Sequence, residues 1–142
     1  MLDWYKISAE KSERNDSKMV EISTSILTVE KGNEAEIFFA LEKAKTDYFH
    51  IDVMDGKFVE KDTYQKMIEY SSYIRRISNL PMDIHLMVED VKTAIEDFAG
   101  VEPNIITFHL ESCKNKEEVM EYIRMIKESG ARVGISVKPN TP

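Results

Sequence analysis

The run FHIDVMDGKFVE, residues 49–60, decides how the chain folds. It sets His50, Asp52, Met54 and Asp55 inside an apolar stretch that reads as a buried β-strand. A buried imidazole or carboxylate is costly unless it is hydrogen-bonded, paired or bound to a metal. Side chains alternate across a strand, so His50, Asp52 and Met54 share one face, which Tyr48 begins. Ile51 and Val53 point the other way. A strand with apolar residues on one side and His, Asp and Met on the other has helices against its first face and something chemical on its second.

The same unit recurs along the chain. Apolar, β-rich runs fall at 20–29 (VEISTSILTV), 48–54 (YFHIDVM), 82–88 (MDIHLMV), 104–110 (NIITFHL) and 131–137 (ARVGISV). Between them lie stretches with helical spacing. Asn33 followed by Glu36 reads as a helix start, with Ile37, Phe38, Leu41 and Ala44 on one stripe. Asp62 is placed to cap a helix over 63–76, on which Tyr64, Met67, Ile68, Ser71 and Ile74 form one side. Asp90 caps a short helix to Phe98, which Gly100 stops. Asn115 with Glu118 opens a helix through Val119, Tyr122, Ile123 and Ile126 to Gly130. Five strands alternating with four helices predict a parallel sheet covered by helices. Two architectures fit: an open doubly wound sheet, or part of a (β/α)8 barrel. No G-x-G-x-x-G follows the first strand, so the dinucleotide-binding version has no support.

Composition narrows the function classes. The chain has 142 residues, 42% hydrophobic and 32% charged, as an ordinary globular domain does. Its net charge of −7 and lack of a basic patch argue against nucleic acid and against an anionic membrane as partners. No apolar run approaches the ~20 residues of a membrane span. Residues 1–19 are expected to form a polar N-terminal arm ahead of a domain over 20–142, and they lack the apolar core of a secretory signal. The single cysteine, Cys113, forms no internal disulfide, so a reducing, cytoplasmic setting is the expectation. Glu111, Lys114 and Lys116 around it describe a solvated loop rather than the setting of a reactive thiol.

The polar residues inside the strands are the candidate site. His85 and Met87 share a face on the third strand, in phase with His50 and Asp52 on the second. Two histidines and an aspartate from adjacent strands suit a divalent metal. Hydrogen-bonded core histidines are the competing reading. Met54 and Met87 by themselves mean soft packing. His109, with Thr107 and Glu111 on its face, reads as a satisfied structural histidine. Ser25 is placed either to donate to a substrate hydroxyl or to cap its own turn, and spacing favours the turn.

Taken together, SIL (25–27), HIDVMDGKFV (50–59), MDIHLMV (82–88), ITFHLE (106–111) and VGISVKPNTP (133–142) resemble the ribulose-phosphate 3-epimerase family, in its order and spacing over about residues 20–142. The resemblance implies the N-terminal part of a (β/α)8 TIM barrel, here about five strands and four helices, that uses a divalent metal ion: Zn, Fe, Mn or Co. It implies His50, Asp52 and His85 as three of four metal ligands, Asp52 as one of two acid/base aspartates, and Ser25 and His85 as substrate contacts. Met54 and Met87 match the methionines lining the reacting carbon. The implied reaction inverts C3 of D-ribulose 5-phosphate to give D-xylulose 5-phosphate, a step of the pentose phosphate pathway. One carboxylate removes the C3 proton, a second returns one from the opposite face, and the metal stabilises the enediolate between.

Where the family has Pro-Asn after Phe58-Val59, this sequence has Glu60-Lys61, and Asn140 stands for a common Gly. The family's remaining strands, with the fourth ligand (also the second catalytic Asp), a third Met and the phosphate-binding loops, find no match here. Several readings follow: an epimerase completed elsewhere, a non-catalytic remnant or subunit with a metal half-site, or a six-carbon ketose-phosphate epimerase acting on allulose 6-phosphate. An unrelated metal hydrolase on an open sheet is weaker. The isolated chain is expected to turn over little substrate. It is also expected to associate, as a homo-oligomer or with a complementary C-terminal half, because the first and fifth strands would be open edges.

Overall fold

The computed structural model describes residues 20–142, so the N-terminal arm lies outside the described residues. The elements are β1 (Ser23–Ser25), α1 (Glu34–Lys43), β2 (Tyr48–Met54), α2 (Tyr64–Ile77), β3 (Met82–Met87), α3 (Val91–Ala99), β4 (Ile105–His109), a 3-10 turn (Leu110–Ser112), α4 (Lys116–Glu128) and β5 (Arg132–Ser136). All strands pair in parallel and in the order β1-β2-β3-β4-β5. This order separates the two architectures. A doubly wound sheet reverses its strand order at a switch point, whereas a barrel adds each strand beside the last. Strictly consecutive order, with right-handed crossovers, keeps the helices on one side. The result is the five-strand, four-helix part of a (β/α) barrel.

The core lies between that helix layer and the sheet. Phe49, Ile51 and Val53 of β2, Ile84 and Leu86 of β3, and Ile106 and Phe108 of β4 are fully buried. They pack with Phe38, Met67, Ile74, Ile95, Phe98 and Ile126 from the helices. Phe38 meets Phe49 and Tyr70 edge-on, at ring-centroid distances of 5.7 and 5.5 Å. The face alternation expected along β2 and β3 is therefore the one observed.

Element ends show where the chain leaves the expected pattern. The first strand is three residues, not ten. Ile26 N still reaches His50 O, but Leu27 N turns back to Ser25 Oγ and Val29 N to Ile26 O, which takes the chain off the ladder. Asn33 makes no side-chain cap, and Gly32 N donates instead to Glu34. Asp62 sits one residue before the N-cap Thr63 and accepts from Tyr64 N at 3.0 Å. Asp90 and Asn115 do cap α3 and α4, accepting from Thr93 N and Glu118 N. Gly130, at φ +89, ends the last helix in the left-handed region that favours glycine.

Candidate metal centre

Strand register brings the polar residues into rows across the face opposite the helices. Asp52 lies beside His85, His85 beside Thr107, and Thr107 beside Gly134. One residue pair back, Ser25 lies beside His50, and His50 beside Asp83. Met54 and Met87 are partners at the C-terminal ends of β2 and β3. The expected ligands thus converge because two neighbouring strands, β2 and β3, are in parallel register and alternate in phase.

Asp52 is the hub. Its Oδ1 stands 3.1 Å from His50 Nε2 and 3.3 Å from His85 Nδ1, and its Oδ2 accepts from Ser25 Oγ at 2.8 Å. Ser25 therefore does more than cap its turn. Burial opposes ionisation of Asp52, but hydrogen bonds from His50, His85 and Ser25 outweigh it and hold the carboxyl well below the usual carboxylate range. Burial likewise disfavours a charged His50. The hydrogen bonds and charges of Asp52 and Asp83 win, and lift its imidazole to about 9.

One ligand atom from each of His50, Asp52 and His85 lies within 4.8 Å of the others, close enough to share one ion. Two imidazoles and a carboxylate are a donor set that Zn²⁺, Mn²⁺, Fe²⁺ or Co²⁺ accepts. The outer contacts fit as well. Metal-binding histidines nearly always engage the second ring nitrogen with a carboxylate or similar partner. His50 Nδ1 lies 2.8 Å from Asp83 Oδ2, and His85 Nε2 lies 2.8 Å from His109 Nε2. Asp83 was missed in the sequence reading, although it lies two residues before His85 and thus in phase with it. Ser23 Oγ donates to the same Asp83 oxygen at 3.0 Å and helps fix it.

His109 departs from the satisfied structural role expected of it. It is 6% exposed, faces His85, and its Nδ1 makes no hydrogen bond. Glu111 Oε2 stands 3.4 Å from that atom, within ion-pair reach. Burial and the neighbouring His85 lower the pKa of His109, against the pull of Glu111.

The mouth is built from the segments after β2, β3 and β5. Asp55 accepts from Lys57 N, Phe58 N and Glu89 N, tying the first two together. Gly56 makes the turn at φ +71. Phe58 packs on His109 at 5.2 Å between centroids, and Lys138 Nζ sits 3.7 Å above the Phe58 ring. Cys113 is half-buried, and burial pushes its thiol pKa up, the opposite of an activated nucleophile.

Among the described residues, no helix is long and apolar enough to cross a membrane. The family model of the ribulose-phosphate 3 epimerase family matches residues 21–142. The ribulose-phosphate 3-epimerase of Bacillus subtilis is 35% identical over 127 residues, covering 87% of this chain and 55% of that protein. That of Methanocaldococcus jannaschii is 35% identical over 124 residues, covering 87% and 50%. The chloroplastic ribulose-5-phosphate-3-epimerase of Arabidopsis thaliana is 31% identical, covering 85% and 42%. The chain spans about half the length of the curated relatives it matches. With the consecutive parallel sheet and the His-Asp-His group on its free face, this match places the chain in the ribulose-phosphate 3-epimerase family.

Proposed function

We propose that this chain carries the metal half-site and one acid/base carboxylate of a ketose-phosphate 3-epimerase, which interconverts D-ribulose 5-phosphate and D-xylulose 5-phosphate in the cytoplasm. The observation that supports it best is the placement of Asp52: one carboxylate oxygen faces two imidazoles and the other accepts from Ser25. A divalent cation held by His50, Asp52 and His85 would supply Lewis-acid polarisation of a carbonyl and its neighbouring hydroxyl.

The residues of the chain do the rest. Asp52, kept ionised, takes the C3 proton. Ser25 and His85 lie beside it, placed to orient substrate oxygens. Met54 and Met87, paired at the strand ends, present soft apolar groups that keep water from the reacting carbon. Inversion takes a second acid on the opposite face, a role we assign to no residue of this chain.

Association belongs to the same reading. Among the described residues, β1 and β5 each pair with a strand on one side only. Unpaired strand edges attract further strands. Ile22 and Val137, 57% and 46% exposed, flank those edges. A second copy or a complementary C-terminal half would cover them.

A binding subunit with the metal half-site and no turnover is the second reading, supported by the same His-Asp-His group. Proton exchange separates the two. The chain, loaded with Zn²⁺, Mn²⁺ or Co²⁺, is incubated with D-ribulose 5-phosphate in D2O, and C3 deuteration is followed by NMR. Exchange that disappears in Asp52→Asn supports the epimerase reading. No exchange by metal-loaded chain, or exchange unchanged in Asp52→Asn, refutes it.

A further inference from the structure

We propose that His109 and Glu111 form a positioning relay that sets the tautomer and ring plane of His85 and links the metal centre to residues 138–141. The inference rests on His85 serving as a metal ligand. His85 turns Nδ1 toward Asp52 Oδ1, so Nδ1 is the atom it would offer a cation, and with a cation there its proton belongs on Nε2.

That Nε2 lies 2.8 Å from His109 Nε2, with the two rings inclined at 29°. At this distance one nitrogen donates and the other accepts. If His85 donates, His109 Nε2 is bare and the proton of His109 sits on Nδ1. The buried Nδ1 has no hydrogen bond, and Glu111 Oε2 faces it at 3.4 Å. The N–H then lies within ion-pair reach of a carboxylate. The reverse assignment turns a bare lone pair toward that carboxylate and puts the proton of His85 on its ligand atom. With a cation on His85 Nδ1, Glu111 therefore favours the arrangement that keeps the proton of His85 on Nε2.

The outer end of the relay is anchored. Glu111 Oε1 accepts from Lys138 N at 2.5 Å and from Thr141 Oγ1. Thr141 N in turn donates to Lys138 O at 3.0 Å. Lys138 Nζ holds Phe58 against the outer side of His109, donating to the Phe58 carbonyl at 3.3 Å. A displacement of residues 138–141 would thus reach His85 through Glu111 and His109.

The test uses the full chain. Affinity for Co²⁺ is measured by chelator competition for wild type, His109→Phe and His109→Gln. Phe fills the space without an acceptor, whereas Gln Oε1 can still accept from His85 Nε2. The relay predicts a loss of about 10–100-fold for His109→Phe and affinity within about threefold of wild type for His109→Gln. In the Zn²⁺-loaded wild type, long-range ¹⁵N–¹H correlation should find the proton on Nε2 of His85 and on Nδ1 of His109. Equal affinity of His109→Phe and wild type, equal losses in both variants, or a proton on His85 Nδ1 overturns the relay while leaving the metal site intact. A wild type that binds no Co²⁺ overturns the metal reading and the relay together. The NMR measurement needs no variant, so it decides even if His109→Phe does not fold.

Discussion

Replacing Gly134 by Ala should destabilise the chain and disturb the centre two strands away. Gly134 is the β5 partner of Thr107, in the row that continues to His85 and Asp52. A Cβ at Gly134 would lie 2.1 Å from Thr107 Oγ1, 2.9 Å from its Cβ and 3.1 Å from its Cγ2. Real Cβ atoms essentially never approach within 3.0 Å. Rotating Thr107 does not remove the clash, because its own Cβ is one of the close atoms. The strands must part or Thr107 must shift toward His85. Overpacking of this kind costs about 1–3 kcal/mol, and contact with a buried side chain argues for the upper half of that range. For a chain of this size the loss corresponds to a fall in Tm of about 5–10 °C. Urea unfolding should show a lower midpoint with an unchanged m-value. Adding Thr107→Ala should recover part of the loss, with a coupling above about 1 kcal/mol. A Gly134→Ala chain within about 0.5 kcal/mol of wild type, or a double variant as unstable as the sum of the singles, would refute the close strand packing.

Other perturbations give equally direct readouts. Asp83→Asn keeps an acceptor at His50 Nδ1 but removes its charge, so metal affinity should fall about tenfold with little change in melting. Asp55→Ala strips the acceptor from three backbone N–H groups, and urea unfolding should show a loss of about 1–3 kcal/mol. Glu111 supplies the pH test. Burial would raise its pKa, but hydrogen bonds from Thr141 and Lys138 outweigh burial and pull it from 4.5 down to about 2. A depressed acid stabilises the fold above its unfolded value and loses that contribution as pH falls through its folded value. The stability gap between wild type and Glu111→Gln should be constant above 4.5 and close as pH falls toward 2.

Most of the fold was legible because its signals are local. Alternation along YFHIDVM and MDIHLMV needs only adjacent residues, and the structure buries the apolar half and gathers the polar half as that alternation predicts. Barrel against doubly wound sheet was not legible from periodicity, since both have the same βα units and differ only in strand order. The candidate ligand trio could be read because all three are polar residues in core strands. Asp83 escaped because, at the start of β3, it resembles an ordinary strand-end carboxylate; only pairing with His50 across the register reveals its role. His109 escaped for a related reason. Its sequence neighbours suggested a satisfied side chain, while its unbonded Nδ1 is a property of the packed interior.

The proposed chemistry requires His50, Asp52 and His85 to hold a metal ion. The most direct test is the metal content of the purified chain by mass spectrometry, after loading with Zn²⁺ and exhaustive dialysis, beside the His50→Ala/His85→Ala double variant. We expect about one ion per wild-type chain and essentially none in the double variant, with both chains folded by circular dichroism. Equal metal content in the two proteins, or none in either, would contradict it.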